Sequence, residues 1–393
     1  MTALAPSLRV ALVGDYPLTE SEIGGGVESA FLYLVSGLRR RGDLDLHVVT
    51  LDRRTTEPRE ERVDAALTVH VLPVFPRFEL LRRFGTYRRW LAATLGRIGP
   101  DVVHVQGATD HAYAALACGY PTVITVHGIL REDAAHQPTL PLRLRKAFYA
   151  RAFERQNVAH ARHLIAIAGY VTDYFRDVLR RDVAVYLIPN AIDPRFFDIG
   201  PLPGARTVLF AGRVIERKRV DLLVDAFAAV AEAVPDATLR IAGEMSSEAR
   251  YAAGVRDRVE RLGLADRVRF LGQLDEPTLA AEFEAADVLA LPSAQETAPM
   301  VIAEAMAAAR PVVATAVGGV AEMVVDRETG FLVDRDDVSG FGRGLTAVLE
   351  DVDLARRLGQ RARVIAEREY RADRVADRTA EVYRRMTAEG SGR

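Results

Sequence analysis

Leu291-Pro-Ser-Ala-Gln-Glu296-Thr-Ala-Pro299-Met-Val-Ile-Ala-Glu304-Ala-Met-Ala307, followed by Pro311-Val-Val-Ala-Thr315 and Gly318-Gly319, decides how this chain is read. Leu291 closes a short apolar run, 287–291, that reads as a strand. A polar loop follows, then an apolar helix over 299–308 and a second strand at 311–314. Pro299 is expected in the first turn of that helix, which puts Glu304 more than one turn inside it. Strand, helix and strand make a βαβ unit. Strands that are apolar without alternation belong to a parallel sheet covered on both faces.

The same alternation extends outward from this stretch. Strands are expected at 206–211, 237–242, 268–271, 287–291, 311–314 and 331–333, with helices at 218–233, 249–262, 276–285, 299–308 and 338–349. Upstream, a first series has strands at 8–13, 46–51, 67–72, 102–105, 122–126, 163–167 and 184–188. Its helices fall at 26–41, 80–97, 140–160 and 169–181. Between the series lie Ile188-Pro-Asn-Ala-Ile-Asp-Pro194 and Pro201-Leu-Pro-Gly204, whose prolines read as a linker. The expected fold class is α/β, with two doubly wound domains over 1–195 and 196–370. A long helical region spans 351–386, and a terminal helix within 371–393 crosses back to the first domain. In open α/β sheets ligands bind beyond the carboxyl ends of the strands, so the site is expected in a cleft where two such domains face.

At 393 residues the chain is long enough for two or three domains, and 49% apolar with 27% charged residues excludes disordered and collagenous classes. Cys118 stands alone, so no internal disulfide can form, and no Cys/His cluster has zinc spacing. Asp43-Leu-Asp45 and Asp351-Val-Asp353 read as solvated pairs, so no metal is expected. No run of 18 apolar residues exists and Met1–Val10 lacks an apolar leader, so a cytoplasmic address is expected. The net charge of −2 divides into +4 over 1–195 (25 basic, 21 acidic) and −6 over 196–393 (27 basic, 33 acidic), which argues against a nucleic-acid partner. Only Lys146 and Lys218 are lysines; the other 50 basic residues are arginines, which makes Lys218 worth inspecting.

Several strand ends carry polar groups. Gly24-Gly25-Gly26-Val27-Glu28 opens a helix with backbone N–H groups suited to an anion, although a plain turn reads equally well. His104 and His127 end neighbouring strands; each reads as a satisfied sheet residue or as the floor of a polar site. Ala211-Gly212-Arg213 and Lys218 can neutralise a diphosphate at a strand–helix junction, where the bland reading is a solvated charge cluster. Glu296 and Glu304 can accept hydrogen bonds from sugar hydroxyls; blandly, Glu304 is a helix-surface residue. G-x-S-x-G and Walker A motifs are absent. The segment 75–98 holds six Arg, one acid and Phe78, Phe84, Tyr87 and Trp90. It is a candidate for peripheral membrane contact, but its stripe Leu80/Phe84/Tyr87/Leu91/Leu95 also suits core packing.

Taken together these residues resemble the retaining glycosyltransferases of family 4. The likeness rests on the loop ending Val27-Glu28, Asp101-Val-Val-His104, Val126-His127-Gly128 and Ile188-Pro-Asn190-Ala-Ile-Asp193. It continues through Ala211-Gly212-Arg213 to Lys218, Ile241-Ala-Gly243, Phe270-Leu-Gly272, the E-x7-E pair Glu296 and Glu304, and Gly318-Gly319. The resemblance implies a GT-B fold of two facing Rossmann-like domains. It also implies a metal-independent transfer of a hexose, with retention, from a nucleotide-diphosphate sugar (UDP or GDP foremost) to a hydroxyl acceptor, without a further cofactor. By the same resemblance Arg213 and Lys218 bind the donor diphosphate, Glu304 the ribose and Glu296 the hexose, while His127 lines the reaction centre. Gly25, Gly26, Glu28, Asn190, Gly212, Met300 and Val301 are the implied substrate contacts. The acceptor is expected in cell-surface polysaccharide or glycolipid synthesis; a small-molecule aglycone or aminocyclitol, an epimerase of the same fold and a silent sugar-nucleotide binder are the alternatives. Thr297-Ala298-Pro299, Gln106, Ala168 and Ala309 depart from the family's usual glycine-rich run, second histidine, serine and glycine.

Overall fold

The structure, a computed structural model, describes residues 8–19, 23–74, 79, 83–137 and 139–391. It divides into two compact units, Met1–Ala191 with Ala372–Arg393, and Ile192–Arg371. The boundary lies four residues before the expected 195. Ile192 forms a bridge with Arg371, and Phe196 and Phe197 are buried in the core of the second unit, so the linker's end already belongs to it.

The first unit is built on a sheet of β1 (Leu8–Val13), β2 (Leu44–Asp52), β3 (Arg59–Arg62), β4 (Leu67–Pro73), β5 (Val102–Gln106), β6 (Thr122–Val126), β7 (His163–Ala166) and β8 (Ala184–Leu187), in the order β3-β4-β2-β1-β5-β6-β7-β8. Every pairing is parallel except β3–β4. The wholly charged, exposed β3 was not expected from the sequence; as an edge strand its charges block further pairing. Residues Val10–Val13, Val102 and Val103 are fully buried, as unbroken apolar runs require.

The helix Gly26–Arg41 packs against the helix Ala372–Ser391 of the same unit. The approach is close: a Cβ on Gly37 would lie 2.2 Å from the carbonyl oxygen of Ala372. The helical region expected over 351–386 is two helices, Val352–Glu369 and Ala372–Ser391, interrupted where Arg371 bridges to Ile192. The expected helix 140–160 is Leu140–Tyr149 and Arg155–His160 joined by a π-turn, Ala150–Glu154, and 169–181 shortens to Gly169–Phe175. Residues 75–78 and 80–82 of the suspected membrane segment lie outside the described residues. Within its helix, Gly85–Ile98, and at its entry, Phe84, Tyr87, Leu91 and Leu95 are buried, so the described part of that stripe is core.

The second unit has β9 (Thr207–Ala211), β10 (Thr238–Ala242), β11 (Val268–Gly272), β12 (Val288–Leu291), β13 (Val312–Thr315) and β14 (Gly330–Val333), all parallel in the order β11-β10-β9-β12-β13-β14. Arg310, fully buried without a carboxylate in hydrogen-bond contact, donates to the carbonyls of Phe283 (2.8 Å), Ala308 (2.9 Å), Gly200 and Glu284 (3.1 Å) and Pro201 (3.3 Å). It thereby ties the linker turn to two helix ends. Ala309 beside it has a φ of 55°, the left-handed region that favours glycine. Among the described residues no helix is long and apolar enough to cross a membrane.

Candidate functional site

In the second unit the neighbouring strands β9 and β10 are followed directly by Gly212 and Gly243, and β11 ends on Gly272; they are stitched by Gly212 N–H to Ala242 O (2.9 Å) and Gly243 N–H to Gly272 O (2.7 Å). Gly243 is obligatory: a Cβ there would sit 1.8 Å from the carbonyl oxygen of Gly212. Gly212 in turn lies against Lys218, whose Nζ would be 3.9 Å from a Cβ at that position.

Lys218 closes a short 3₁₀ turn, Glu216–Lys218, and its ammonium meets Glu296 Oε1 at 2.5 Å. Arg217 takes the other oxygen, Oε2, at 3.4 Å and donates to Gln295 O at 2.6 Å. Glu296 is buried; burial alone would raise its pKa, but the charges of Lys218 and Arg217 outweigh it and hold the carboxyl ionised. Burial lowers the Lys218 pKa against the pull of Glu296. The ammonium has three N–H groups and spends one on Glu296, so two remain to serve a ligand. Arg213, by contrast, is exposed.

Glu304 lies elsewhere in its charge environment. Pro299 precedes the helix rather than opening it: Met300 is the first residue of Met300–Ala307, which makes Glu304 the fifth. Met300 and Val301 pack partly buried against the core. Glu304 is buried, and its pKa is pushed well above the ordinary range by burial first and then by Glu276 and Asp193. Asp193 is itself held by Arg195 at 2.8 Å. Among the described residues no cation pairs with Glu304, and a buried carboxyl so placed is a group waiting for hydrogen-bond donors.

In the first unit the β5–β6 register pairs Gln106 with Thr125, so His104, Gln106, Thr125 and His127 share one face of the sheet. They form a continuous chain. His104 Nδ1 meets Tyr383 Oη (2.6 Å), and its Nε2 meets Thr125 Oγ1 (2.6 Å) and Gln106 Nε2 (3.1 Å). Gln106 Oε1 meets His127 Nε2 at 2.7 Å, and His127 Nδ1 meets Asn190 Oδ1 at 3.0 Å. Burial pushes the His127 pKa down to about 4 and that of His104 to about 3, so both rings are neutral at pH 7. His104 is a fully satisfied core residue. His127 is half-buried and remains a candidate. Glu28 accepts from the backbone N–H of Gly24, folding the glycine loop onto the start of its helix, with Gly25 at the cap and Gly26 first in the helix.

Residues the sequence did not mark complete both arrangements. Arg217 is one of many arginines, and no spacing singles it out. Glu154, 2% exposed, accepts from Leu130 N–H at 2.9 Å and so fixes the loop three residues after His127; burial lifts its pKa to about 7. Tyr383 lies far away in sequence, beyond the reach of any local pattern.

Two family models match. "Glycosyltransferase Family 4" covers residues 24–196 and "Glycosyl transferases group 1" covers residues 193–364. The D-inositol 3-phosphate glycosyltransferase of Stackebrandtia nassauensis is 28% identical over 384 residues, spanning 89% of this chain and 85% of that protein. Among solved structures, sucrose-phosphate synthase from Thermosynechococcus elongatus superposes with a TM-score of 0.79 at 22% identity, over 97% of this chain and all of the other. The Anabaena protein HepE, solved with UDP and glucose, does so with a TM-score of 0.71 at 21% identity, over 95% and 99%.

Proposed function

This chain belongs to the family 4 glycosyltransferases and has their GT-B fold, and from that premise we propose that it transfers a hexose, with retention and without a metal, from a nucleotide-diphosphate sugar to a hydroxyl acceptor. The observation that carries the reading is the Lys218–Glu296 pair at the glycine-lined ends of β9–β11, with Arg213 exposed beside it in sequence. In this reading Arg213 and the two spare N–H groups of Lys218 take the negative charge that grows on the diphosphate as the glycosidic bond breaks. Glu304 accepts from the ribose hydroxyls, and Glu296 keeps Lys218 in place while its remaining lone pairs face the hexose. The acceptor oxygen forms the new bond to the anomeric carbon, the diphosphate leaves, and a diphosphate oxygen receives the acceptor's proton. His127, neutral and so carrying a single N–H, acts by hydrogen bonding and not as the base.

UDP is the preferred nucleotide in this proposal, because HepE, a protein of the same fold, is solved with it. The acceptor proposed is a cell-surface polysaccharide or glycolipid precursor. A panel of UDP-, GDP-, ADP- and dTDP-sugars tests the assignment. A UDP-sugar should raise the melting temperature and be slowly hydrolysed, with retained anomeric configuration by NMR and full activity in EDTA. Arg213→Ala should lower that rate about 100-fold, the equivalent of about 3 kcal/mol of lost transition-state stabilisation. An EDTA-killed reaction restored by Mg²⁺, or an Arg213→Ala enzyme of normal rate, refutes it.

A further inference from the structure

The helix Leu140–Tyr149 in the first unit has no buried residue. Leu140, Leu144 and Phe148 are 67, 63 and 54% exposed, whereas the other exposed large apolar residues among those described are isolated in the sequence. At 100° per residue these three lie within about 80° of arc, with exposed Ala147 beside them, so they form one stripe along about 12 Å of helix. Arg143 and Arg145, both exposed, flank the stripe on its two sides, and exposed Arg151 continues it one turn further. Residues 139–153 hold four cations and no acid. Of the acids packed near, Asp133 is taken by Lys146 at 3.2 Å, Asp177 by Arg155 at 2.5 Å, Glu154 is buried at the end of the π-turn, and Glu132 lies on the neighbouring helix Leu130–Ala135.

From this geometry we infer that the helix Leu140–Tyr149 docks on an anionic lipid bilayer, its Leu140/Leu144/Phe148 stripe entering the headgroup–acyl boundary and Arg143, Arg145 and Arg151 pairing with lipid phosphates. An apolar stripe bordered by guanidinium groups is the pattern of an interfacial helix, in which long cationic side chains lie along the apolar surface and hold their charge at headgroup level. The charge decides the occupant: a uniformly cationic rim attracts anionic lipid. It repels a second copy of itself. The stripe is also far smaller than the roughly 800 Å² per partner that a stable protein interface buries. The inference stands apart from the donor assignment, since none of these residues belongs to the proposed catalytic or donor-binding set.

Vesicle flotation with the full chain tests it. The protein should float with vesicles of phosphatidylcholine mixed with phosphatidylglycerol, and far less with phosphatidylcholine alone. Leu144→Gln/Phe148→Gln and Arg143→Gln/Arg145→Gln should each weaken the anionic binding about tenfold or more. Their melting temperature should fall little and UDP-sugar hydrolysis should stay unchanged, because the replaced side chains are largely exposed, Arg143 giving up one surface hydrogen bond to the carbonyl of Gln137 and Phe148 an edge contact with Tyr149. The inference falls if the wild type stays unbound, if both vesicle types bind alike, or if the variants float as well as the wild type. It falls equally if the stripe proves to hold a dimer that Leu144→Gln/Phe148→Gln dissolves.

Discussion

Removing one member of a buried ion pair costs more than the pair contributes, because the survivor is left charged and poorly solvated. Lys218→Met should therefore lower the stability of the second unit by about 2–3 kcal/mol, less than for a lone pair because Arg217 still faces Glu296 at 3.4 Å, and Lys218→Met/Glu296→Leu should recover part of it, while neither variant transfers sugar. Chemical denaturation of the three proteins decides it; a double variant as unstable as the single would mean that the pair is not the source. Glu304 presents the opposite case. Its folded pKa is raised, so above the ordinary glutamate range the folded state holds a proton that the unfolded state has lost, and stability falls as pH rises. Glu304→Gln should accordingly raise the unfolding midpoint at pH 8 relative to pH 5, yet weaken UDP binding about tenfold in calorimetry, because the amide nitrogen cannot accept where a carboxyl oxygen stood. A variant destabilised at pH 8 contradicts the cause assigned here. The Glu296/Glu304 spacing and the scarcity of lysine made these groups visible in the sequence. Arg217 was invisible because its role depends on which way one guanidinium among fifty turns.

At the level of strands and helices, the ends of β5 and β6 set a pH response. Unfolded imidazoles take up protons near about 6.5, whereas His104 does so only at about 3 and His127 at about 4. Between those values the unfolded state binds more protons, so the first unit should lose stability as pH falls below about 6.5, and His127→Gln should shallow that loss. Unfolding midpoints from pH 7 to 4 check it; parallel curves for wild type and variant would exclude His127 as a contributor. The parallel strands were legible because doubly covered strands must be continuously apolar. β3 was not, since an edge strand made of Arg-Glu-Glu-Arg carries the composition of a loop. The break at 149–155 was equally hidden: the helical period runs through it, and only Glu154, drawn inward to hold the loop after His127, marks where the winding changes. Ala309 kept a left-handed turn without the glycine that would have announced it.

For the whole molecule, two sheets could be counted in the sequence, but not which one owns residues 372–391; that depends on Gly37 admitting a carbonyl and on Tyr383 reaching His104, contacts between residues more than 270 positions apart. A chain ending at Arg371 should melt with the second unit's transition intact and the first unit's lowered or lost, since the packed face of Gly26–Arg41 is uncovered and His104 Nδ1 is left without its partner. Differential scanning calorimetry distinguishes this from a uniform loss across both transitions, which would contradict it. The same discontinuity fixes an order of events on the ribosome. Domains ordinarily fold as they emerge, amino-terminal first. Here the sheet made first must wait for the segment 372–391, while the 180 residues from Ile192 to Arg371 emerge and can complete their own fold. At translation rates of about 5–20 residues per second that delay is roughly 10–40 s. During it the nascent first unit presents an uncovered apolar helix face, so chaperone capture during synthesis should concentrate on Gly26–Arg41.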